Sequence, residues 1–337
     1  MQPLFRTALA TTAIFLSTTA VAAQEVDVYG FVKLDLNYDL DFIQGDTTNA
    51  RAIGIAGNAT DGHFDTNVRQ SRLGLRAELD GVEGQLEFDL FGSNGTAELR
   101  LRHANIQYEG FLLGQFWTNF MPLGQYPSTV DFNGPVGIAF ARVPQVRYTY
   151  DGGAYQLSGS IEENFATSDD PLLTAAAQYS GSNYTVRAAV LGGTTNDGVN
   201  EVDQFGYTLS ADAQLWQGGN ISATFVDGEA IGGLLIGGGD NIVGGTANDA
   251  QGYTLAVSQD ITPQFNVGIA YGNEQYDQAT AFAGTDFTDL ESLHVNASYD
   301  LTDSLTVSAE YARVTRTDSA GQDFEGDRIQ AAVQFNF

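Results

Sequence analysis

The chain has 337 residues, no cysteine, and 42 acidic against 14 basic side chains, which gives a formal net charge of −28. This acidic excess argues against nucleic acid as a partner, and the lack of cysteine excludes disulfides and thiolate chemistry. The three histidines, His63, His103 and His294, are scattered, and no Ser-His-Asp spacing or metal-ligand cluster appears. We therefore expect neither an enzyme nor a resident cofactor, although acids gathered in long loops could hold Ca2+ or Mg2+.

The first 23 residues have the pattern of a secretory signal peptide. Arg6 precedes the apolar run "ALATTAIFLSTTAVAA", which ends in small residues. The run is diluted by threonines and is short for a membrane-spanning helix, which needs roughly 20 apolar residues. We predict cleavage after Ala23, export, and a mature domain over residues 24–337. No apolar run of helix-spanning length follows, so a mature chain that crosses a membrane must do so as a β-barrel.

Apolar and polar residues alternate through most of the mature chain. In "SRLGLRAEL", residues 71–79, leucines recur at every second position with Arg72 and Arg76 between them. In "VDVYGFVKLDLNYDL", residues 26–40, Lys33 and three aspartates share the polar face. A period of two is the spacing of a β-strand, whose successive side chains point to opposite faces. One oily and one charged face are typical of a transmembrane barrel around a wet lumen.

The links between the predicted strands alternate between short and long. Short links such as 80–84 and 109–110 alternate with long ones such as 41–66 and 276–289, and only 92–95 is short where a long link is due. Counting the strands gives 16, which places one rim of tight turns opposite one rim of loops. We predict an all-β fold, a 16-stranded antiparallel transmembrane β-barrel. A soluble β-sandwich is the alternative, but charges, glycines and serines on the inner faces favour the barrel.

The last strand carries its own signal. In "RIQAAVQFNF" the apolar residues alternate, and the chain ends on an aromatic residue. Phe335 and Phe337 on one face resemble the assembly signal of bacterial outer-membrane proteins, which implies the outer-membrane assembly machinery as a partner. The alternative is an ordinary closing strand, which the same residues would also make.

Three stretches between residues 67 and 150 resemble the DcaP-like porins, trimeric outer-membrane porins of Gram-negative bacteria. They are "NVRQSRLGLRAEL", "LRLRHANIQYEGFLLGQFWTNFMPL" and "TVDFNGPVGIAFARVPQVRYTY", in the family's order. The resemblance implies a homotrimer in the outer membrane that takes up small dicarboxylates. The chain departs from the family in the short link 92–95, where a subunit latch would lie, and in its N-terminus, where Val26 begins a strand at once.

The polar faces of neighbouring strands predict a basic patch on the pore wall. Such strands lie ~4.8 Å apart, so side chains from strands 2, 4 and 6 can meet. Arginine presents forked donors that match carboxylates, so the patch indicates a preference for small anionic solutes such as dicarboxylates. The predicted pore-lining residues are Lys33, Arg72, Arg76, Arg100, Arg102, Asp131, Arg142 and Arg147.

The alternative is that these arginines only brace the wall by pairing with acids. Arg69 falls on the lipid-side parity, so we expect it at the rim or beside a bulge. The acids available for pairing are Glu78, Glu87, Asp89 and Glu98.

Residues 120–142 form the candidate constriction loop. The segment holds Pro122, Pro127 and Pro135 and several apolar residues, with Asp131 as its one acid. A loop of this length usually has a function. We predict that it folds into the lumen, which would shelter its apolar side chains; an extracellular lid is the alternative.

His103, Asn105 and Gln107 fall on the lipid-side parity of strand 4. Polar side chains in hydrocarbon are costly. Either they face another subunit, or the register shifts near residue 104. We predict the first, a homotrimer interface.

These features together predict a passive diffusion porin of the outer membrane, surrounded by lipids and lipopolysaccharide, with an arginine-lined eyelet. A surface barrel that acts by loop-mediated binding, such as an adhesin or receptor, is the competing prediction. An outer-membrane hydrolase is a third.

Overall fold

The structure is a computed structural model that describes residues 25–92 and 97–337. The predicted signal peptide, residues 1–23, and most of the short link 92–95 lie outside these residues. In the part of the chain that is described, no helix is long and apolar enough to cross a membrane.

Across the described residues, sixteen antiparallel strands form one closed barrel, in which each strand pairs with its neighbours in the chain. The second strand consists of two segments, and both pair with β1. The strands are β1 Glu25–Asp39, β2 His63–Asn67 and Arg72–Leu79, β3 Val82–Asp89, β4 Arg100–Tyr108, β5 Phe111–Trp117, β6 Arg142–Asp151, β7 Tyr155–Glu162, β8 Leu172–Ser180, β9 Tyr184–Asn196, β10 Glu201–Trp216, β11 Gly219–Glu229, β12 Asp249–Thr262, β13 Phe265–Phe282, β14 Thr285–Thr302, β15 Leu305–Thr317 and β16 Asp323–Asn336.

The barrel closes where its last strand pairs with its first. The register of β1 and β16 runs from Phe31 opposite Asn336 to Asp39 opposite Arg328. Gly30 and Phe337 add two backbone hydrogen bonds, of 3.0 and 3.1 Å. A closed barrel leaves no sheet edge, which a lipid environment requires. The predicted 16-stranded antiparallel barrel is therefore confirmed.

The two faces of the strands follow the alternation of the sequence. Leucines such as Leu73 and Leu75 are exposed on the outside, at 46% and 38% of their surface. Four polar residues of β1, Lys33, Asp35, Asn37 and Asp39, are buried on the lumen side. The apolar faces of the strands thus point to lipid, and the charged faces point to the lumen.

One predicted loop is a strand extension instead. The segment 276–289 belongs to the hairpin of β13 and β14. The register of the two strands is irregular after Gln275, and their pairing then continues to Phe282 opposite Thr285. Ala283 and Gly284 both have positive φ, 50° and 83°, the two-residue geometry that matches the twist of a hairpin. Alanine is an uncommon residue for this turn, so the sequence did not indicate it.

The break in β2 at residues 68–71 holds Arg69. Its guanidinium binds the Asp46 carboxylate and donates 3.3 Å to the backbone oxygen of Leu90. The expectation that Arg69 lies beside a bulge is confirmed.

A second bulge lies in β4. Glu87 of β3 faces His103, whereas the next residue, Phe88, faces Leu101, so that Arg102 is the extra residue. A bulge of this kind places two successive side chains on one face. Arg102 and His103 accordingly both point into the lumen and are 2% and 4% exposed.

The bulge overturns the predicted subunit interface. The His103 Nε2 lies 3.7 Å from the Glu87 Oε1. Asn105 donates a hydrogen bond of 3.1 Å to the Gln85 Oε1, and Gln107 donates one of 3.2 Å to the Asn105 Oδ1. The three residues therefore belong to the lumen wall, and the prediction that they face another subunit is wrong. The register shift that was the alternative is correct.

Three long loops fold into the lumen and pack together. They are residues 40–62, 118–141 and 230–248, whose apolar side chains share one buried cluster with the inner wall. Ile53, Phe120 and Leu234, one from each loop, are fully buried. Burial of a side chain of this size stabilises by about 1.5–3 kcal/mol, so the loops are held by packing as well as by hydrogen bonds.

Candidate functional site

The loop of residues 118–141, named the lumen loop here, crosses the interior of the barrel. It starts against Glu162 of β7, which accepts hydrogen bonds of 2.5 Å from the Thr118 hydroxyl and 2.8 Å from the Asn119 amide. Its middle lies against Glu310 of β15, which accepts 2.8 Å from the Val130 amide. The inward fold predicted for residues 120–142 is therefore present.

The end of the lumen loop is held by a third buried carboxylate. Glu274 of β13 accepts 2.9 Å hydrogen bonds from the amides of Gly137 and Gly237, so it binds the lumen loop and the 230–248 loop together. Hydrogen bonds to an ionised acceptor are the strong ones. Glu162, Glu274 and Glu310 therefore all accept hydrogen bonds from backbone amides of the loops.

The wall formed by β2 to β6 carries a group of four arginines, Arg72 of β2, Arg100 and Arg102 of β4 and Arg142 of β6, named the basic cluster here. Arg102 binds two acids of β3, with hydrogen bonds of 2.6 Å to the Glu87 Oε1 and 2.8 Å to the Asp89 Oδ2. Arg100 holds Asp89 in a fork, at 3.0 and 2.6 Å. The bracing alternative is therefore correct for these two arginines.

The other two arginines of the basic cluster are less engaged. Arg72 lies 3.6 Å from Glu87, and its buried Nε has no hydrogen-bond partner among the described residues. Arg142 stacks on the Trp117 ring at 4.7 Å, and its buried Nη1 likewise lacks a partner there. Among the described residues, three of the four guanidinium groups pair with the carboxylates of Glu87 and Asp89 and Arg142 has no ion pair, which leaves a local excess of two positive charges.

A cavity of about 370 Å3 lies between the lumen loop and this wall. Lys33, Arg72 and Arg102 line one side. Burial raises the pKa of the Tyr126 phenol on the other side, so this residue stays neutral and adds no charge. The remaining lining includes Trp117, Met121, Leu123, Val130, Phe132 and Phe140.

Two predicted pore-lining residues are tied to the lumen loop. The Lys33 ammonium donates 2.6 Å to the Val130 carbonyl and 2.7 Å to the Gln70 side chain. The Asp131 carboxylate accepts 2.7 Å from the Thr48 amide. Both residues border the cavity, but their charges are used to fix the loop.

Arg100 and Arg142 of the basic cluster do not line the cavity, and neither do Arg76 and Arg147. Arg76 lies near the tight turn after β2, half-exposed, over the Tyr29 ring at 4.6 Å. Arg147 donates 2.9 Å to the Gln145 side chain and a second bond to the Trp117 carbonyl. Both face the lumen, as their parity predicts.

The sequence reasoning missed the residues that complete the site. Arg187 of β9 donates to the Asn119 carbonyl at 2.5 Å and fixes the start of the lumen loop. Its alternation in "TVRAAV" could have indicated its lumen face. The aromatic residues Trp117 and Phe132 were not selected, because aromatic rings in a barrel are more often read as part of the lipid-facing belts.

No metal site supports the expected loop-bound cations. Within residues 25–92 and 97–337, no group of three or more His, Asp or Glu is placed to hold a metal ion. Cation binding by the loops stays an expectation.

A closed barrel with an oily outside, a charged lumen and a loop folded across it defines the class of outer-membrane channels. The model of the Gram-negative porin family matches residues 8–319. The chain belongs to this family, and it is an outer-membrane diffusion channel rather than an enzyme.

Solved structures agree with this assignment. The chain is similar to the outer membrane channel DcaP of Acinetobacter baumannii, with a TM-score of 0.82 and 23% identity over 93% of this chain and 97% of that one. It is also similar to an anion-selective porin from Comamonas acidovorans, with a TM-score of 0.65 and 14% identity over 93% and 100%. The chain is similar as well to OmpT of Vibrio cholerae, with a TM-score of 0.62 and 15% identity over 95% of this chain and 100% of that one. A comparison with curated proteins found no match. The resemblance seen in the sequence is confirmed for family and fold.

Proposed function

We propose that the channel favours small anions, and that the lumen loop and the basic cluster together form its eyelet. The main observation behind this proposal is that most of the lumen acids described above bind loop backbone, and fewer pair with the arginines. Glu162, Glu274 and Glu310 accept hydrogen bonds from the backbone of the lumen loop, while the ion pairs of the basic cluster within residues 25–92 and 97–337 are with Glu87 and Asp89. A solute beside the cluster therefore meets a net positive wall.

The local charge outweighs the charge of the whole chain at this point. Exposed charges more than about 10 Å away are screened at 0.1 M salt. Charges in a narrow passage with low-dielectric walls are screened less. The basic cluster should therefore decide which ions pass, even though the chain carries −28.

Small dicarboxylates are the proposed solutes. Carboxylates match the forked donors of arginine, and Arg72 and Arg142 both have a donor without a partner among the described residues. The sequence resemblance implies the same solutes, and the Comamonas acidovorans porin, which has a similar fold, is anion-selective.

Reversal potentials in a KCl gradient test the anion preference. The unchanged channel should favour chloride at 0.15 M salt, and the double change Arg72→Ala with Arg142→Ala should move the reversal potential strongly towards cation preference. Arg147→Ala is the control, because it removes one lumen arginine outside the basic cluster. A cation-selective parent channel, or a double variant that behaves like the Arg147 variant, would refute the proposal.

We also propose a homotrimer, embedded among outer-membrane lipids and lipopolysaccharide and delivered by the outer-membrane assembly machinery after cleavage at Ala23. The family resemblance and the exposed terminal rings of Phe335 and Phe337 support this. The purified protein should migrate as a trimer in mild detergent and as a monomer after heating. A monomer before heating would contradict the assembly. The adhesin alternative gains no support, since the three long loops fold inwards.

A further inference from the structure

The two sides of the cavity differ in chemistry. The wall presents guanidinium groups, whereas the lumen loop presents apolar side chains to the same space. Leu123 is 37% exposed although it lies inside the barrel, and Phe132 and Phe140 are only half-buried. Apolar groups left open to water beside convergent polar groups mark a ligand site.

Aromatic rings lie next to the charges. Arg102 stands 5.7 Å from the Phe132 ring and 5.6 Å from the Trp117 ring, and Arg142 stands 4.7 Å from Trp117. If the carboxylate of a ligand binds the guanidinium group of Arg102, the rest of the ligand therefore lies within reach of these rings. A pair of aromatic rings is stabilised by more than the apolar area that it buries. A cation over the face of a ring attracts the ring and so fixes its position.

The cavity offers no comparable partner for a second carboxylate on its loop side. The Lys33 ammonium is used by Val130, Gln70 and the Asp35 carboxylate at 3.2 Å. A second charge turned towards the lumen loop would lose water without gaining an ion pair, which is unfavourable.

We propose that this cavity binds amphiphilic monocarboxylates, which have one carboxylate and a flat apolar body, more tightly than it binds aliphatic dicarboxylates of similar size. The carboxylate meets Arg72 and Arg102, and the body lies against Phe132 and Leu123. Dicarboxylates pass as small anions, and the amphiphilic acid dwells longer. The inference rests on the proposed anion preference and names the solute class of the same site.

Block of chloride current in planar bilayers tests this proposal. Benzoate, acetate and succinate are each added to one side of a bilayer that holds the channel. Benzoate should reduce the current at a concentration about tenfold lower than acetate or succinate, because only benzoate buries apolar surface. Benzylammonium, which has the same ring and the opposite charge, should not block, and this separates site binding from effects on the lipid.

Two variants locate the effect. Phe132→Ala and, separately, Leu123→Ser should each weaken the block by benzoate several-fold and leave succinate unchanged. Phe111→Ala is the matched control, because that ring is exposed on the lipid face. Two variants are used so that one failure to fold does not decide the result.

The outcomes separate this inference from the proposed function. If chloride is preferred but benzoate blocks no better than acetate, the inference is overturned and the anion preference stands. If benzoate blocks and neither lumen-loop variant changes it, the site is elsewhere and the inference is overturned. If the reversal potential shows no anion preference, the proposed function itself fails, whatever the block experiment gives.

Discussion

At the scale of single residues, the arginines of the lumen divide into two kinds. Arg102 is 2% exposed and binds two carboxylates, whereas Arg142 has no ion pair among the described residues and stacks on Trp117. The alternation of the sequence placed both in the lumen but did not separate them. The difference arises from the bulge in β4 and from the position of the β3 acids, which depend on how the strands pair.

Arg102→Ala and Arg142→Ala should therefore differ in stability. Removing one partner of a buried ion pair costs about 3–5 kcal/mol, so Arg102→Ala should lower the free energy of unfolding by an amount near the lower end, since Arg100 still holds Asp89. Arg142→Ala should cost much less and shift selectivity instead. Urea unfolding in detergent measures the first effect and reversal potentials the second. Equal loss of stability in the two variants would contradict this division.

At the scale of elements, the fold of the lumen loop depends on acids that lie far away in the chain. Its prolines and apolar residues predict an inward fold, and this is correct. The anchors Glu162, Glu274 and Glu310 could not be predicted, because they depend on which strands the loop reaches across the lumen. Similarly, the inward fold of residues 230–248 gave no sequence signal beyond "GGLLIGGG", which reads as a flexible outer loop.

Glu274→Gln should loosen two loops at once. The Glu274 Oε1 accepts from Gly137 and Gly237, and its Oε2 accepts 2.9 Å from the Tyr276 hydroxyl. The amide keeps the shape but replaces one acceptor by a donor, and each bond to the charged group is worth about 1.5–3 kcal/mol. Single-channel recordings should show more open-channel noise and additional conductance levels.

Glu201→Gln is the control for this change, because it removes the same charge from an exposed position at the start of β10. Its recordings should match those of the unchanged channel. A quiet Glu274 variant with a single conductance level would show that packing alone holds the loops.

At the scale of the whole molecule, two electric fields act on a passing ion. The chain carries −28, and exposed acids such as Asp169, Asp170 and Asp197 lie in the links that follow β7 and β9. The basic cluster carries a local positive excess. The overall architecture could be predicted from the sequence because alternation and link length repeat along the chain, but the balance of these fields requires the ion pairs of the folded lumen.

Selectivity should therefore depend on salt. The screening length is about 3 Å at 1 M, about 10 Å at 0.1 M and about 30 Å at 0.01 M salt, so the field of the distant acids reaches the passage only in dilute solution. We expect anion preference at 0.1 M and above, and a drift towards cations at 0.01 M. Reversal potentials at a fixed KCl ratio and varied mean concentration measure this. A preference that stays constant from 0.01 to 1 M would mean that the loop acids exert no field on the passage and that the eyelet acts alone.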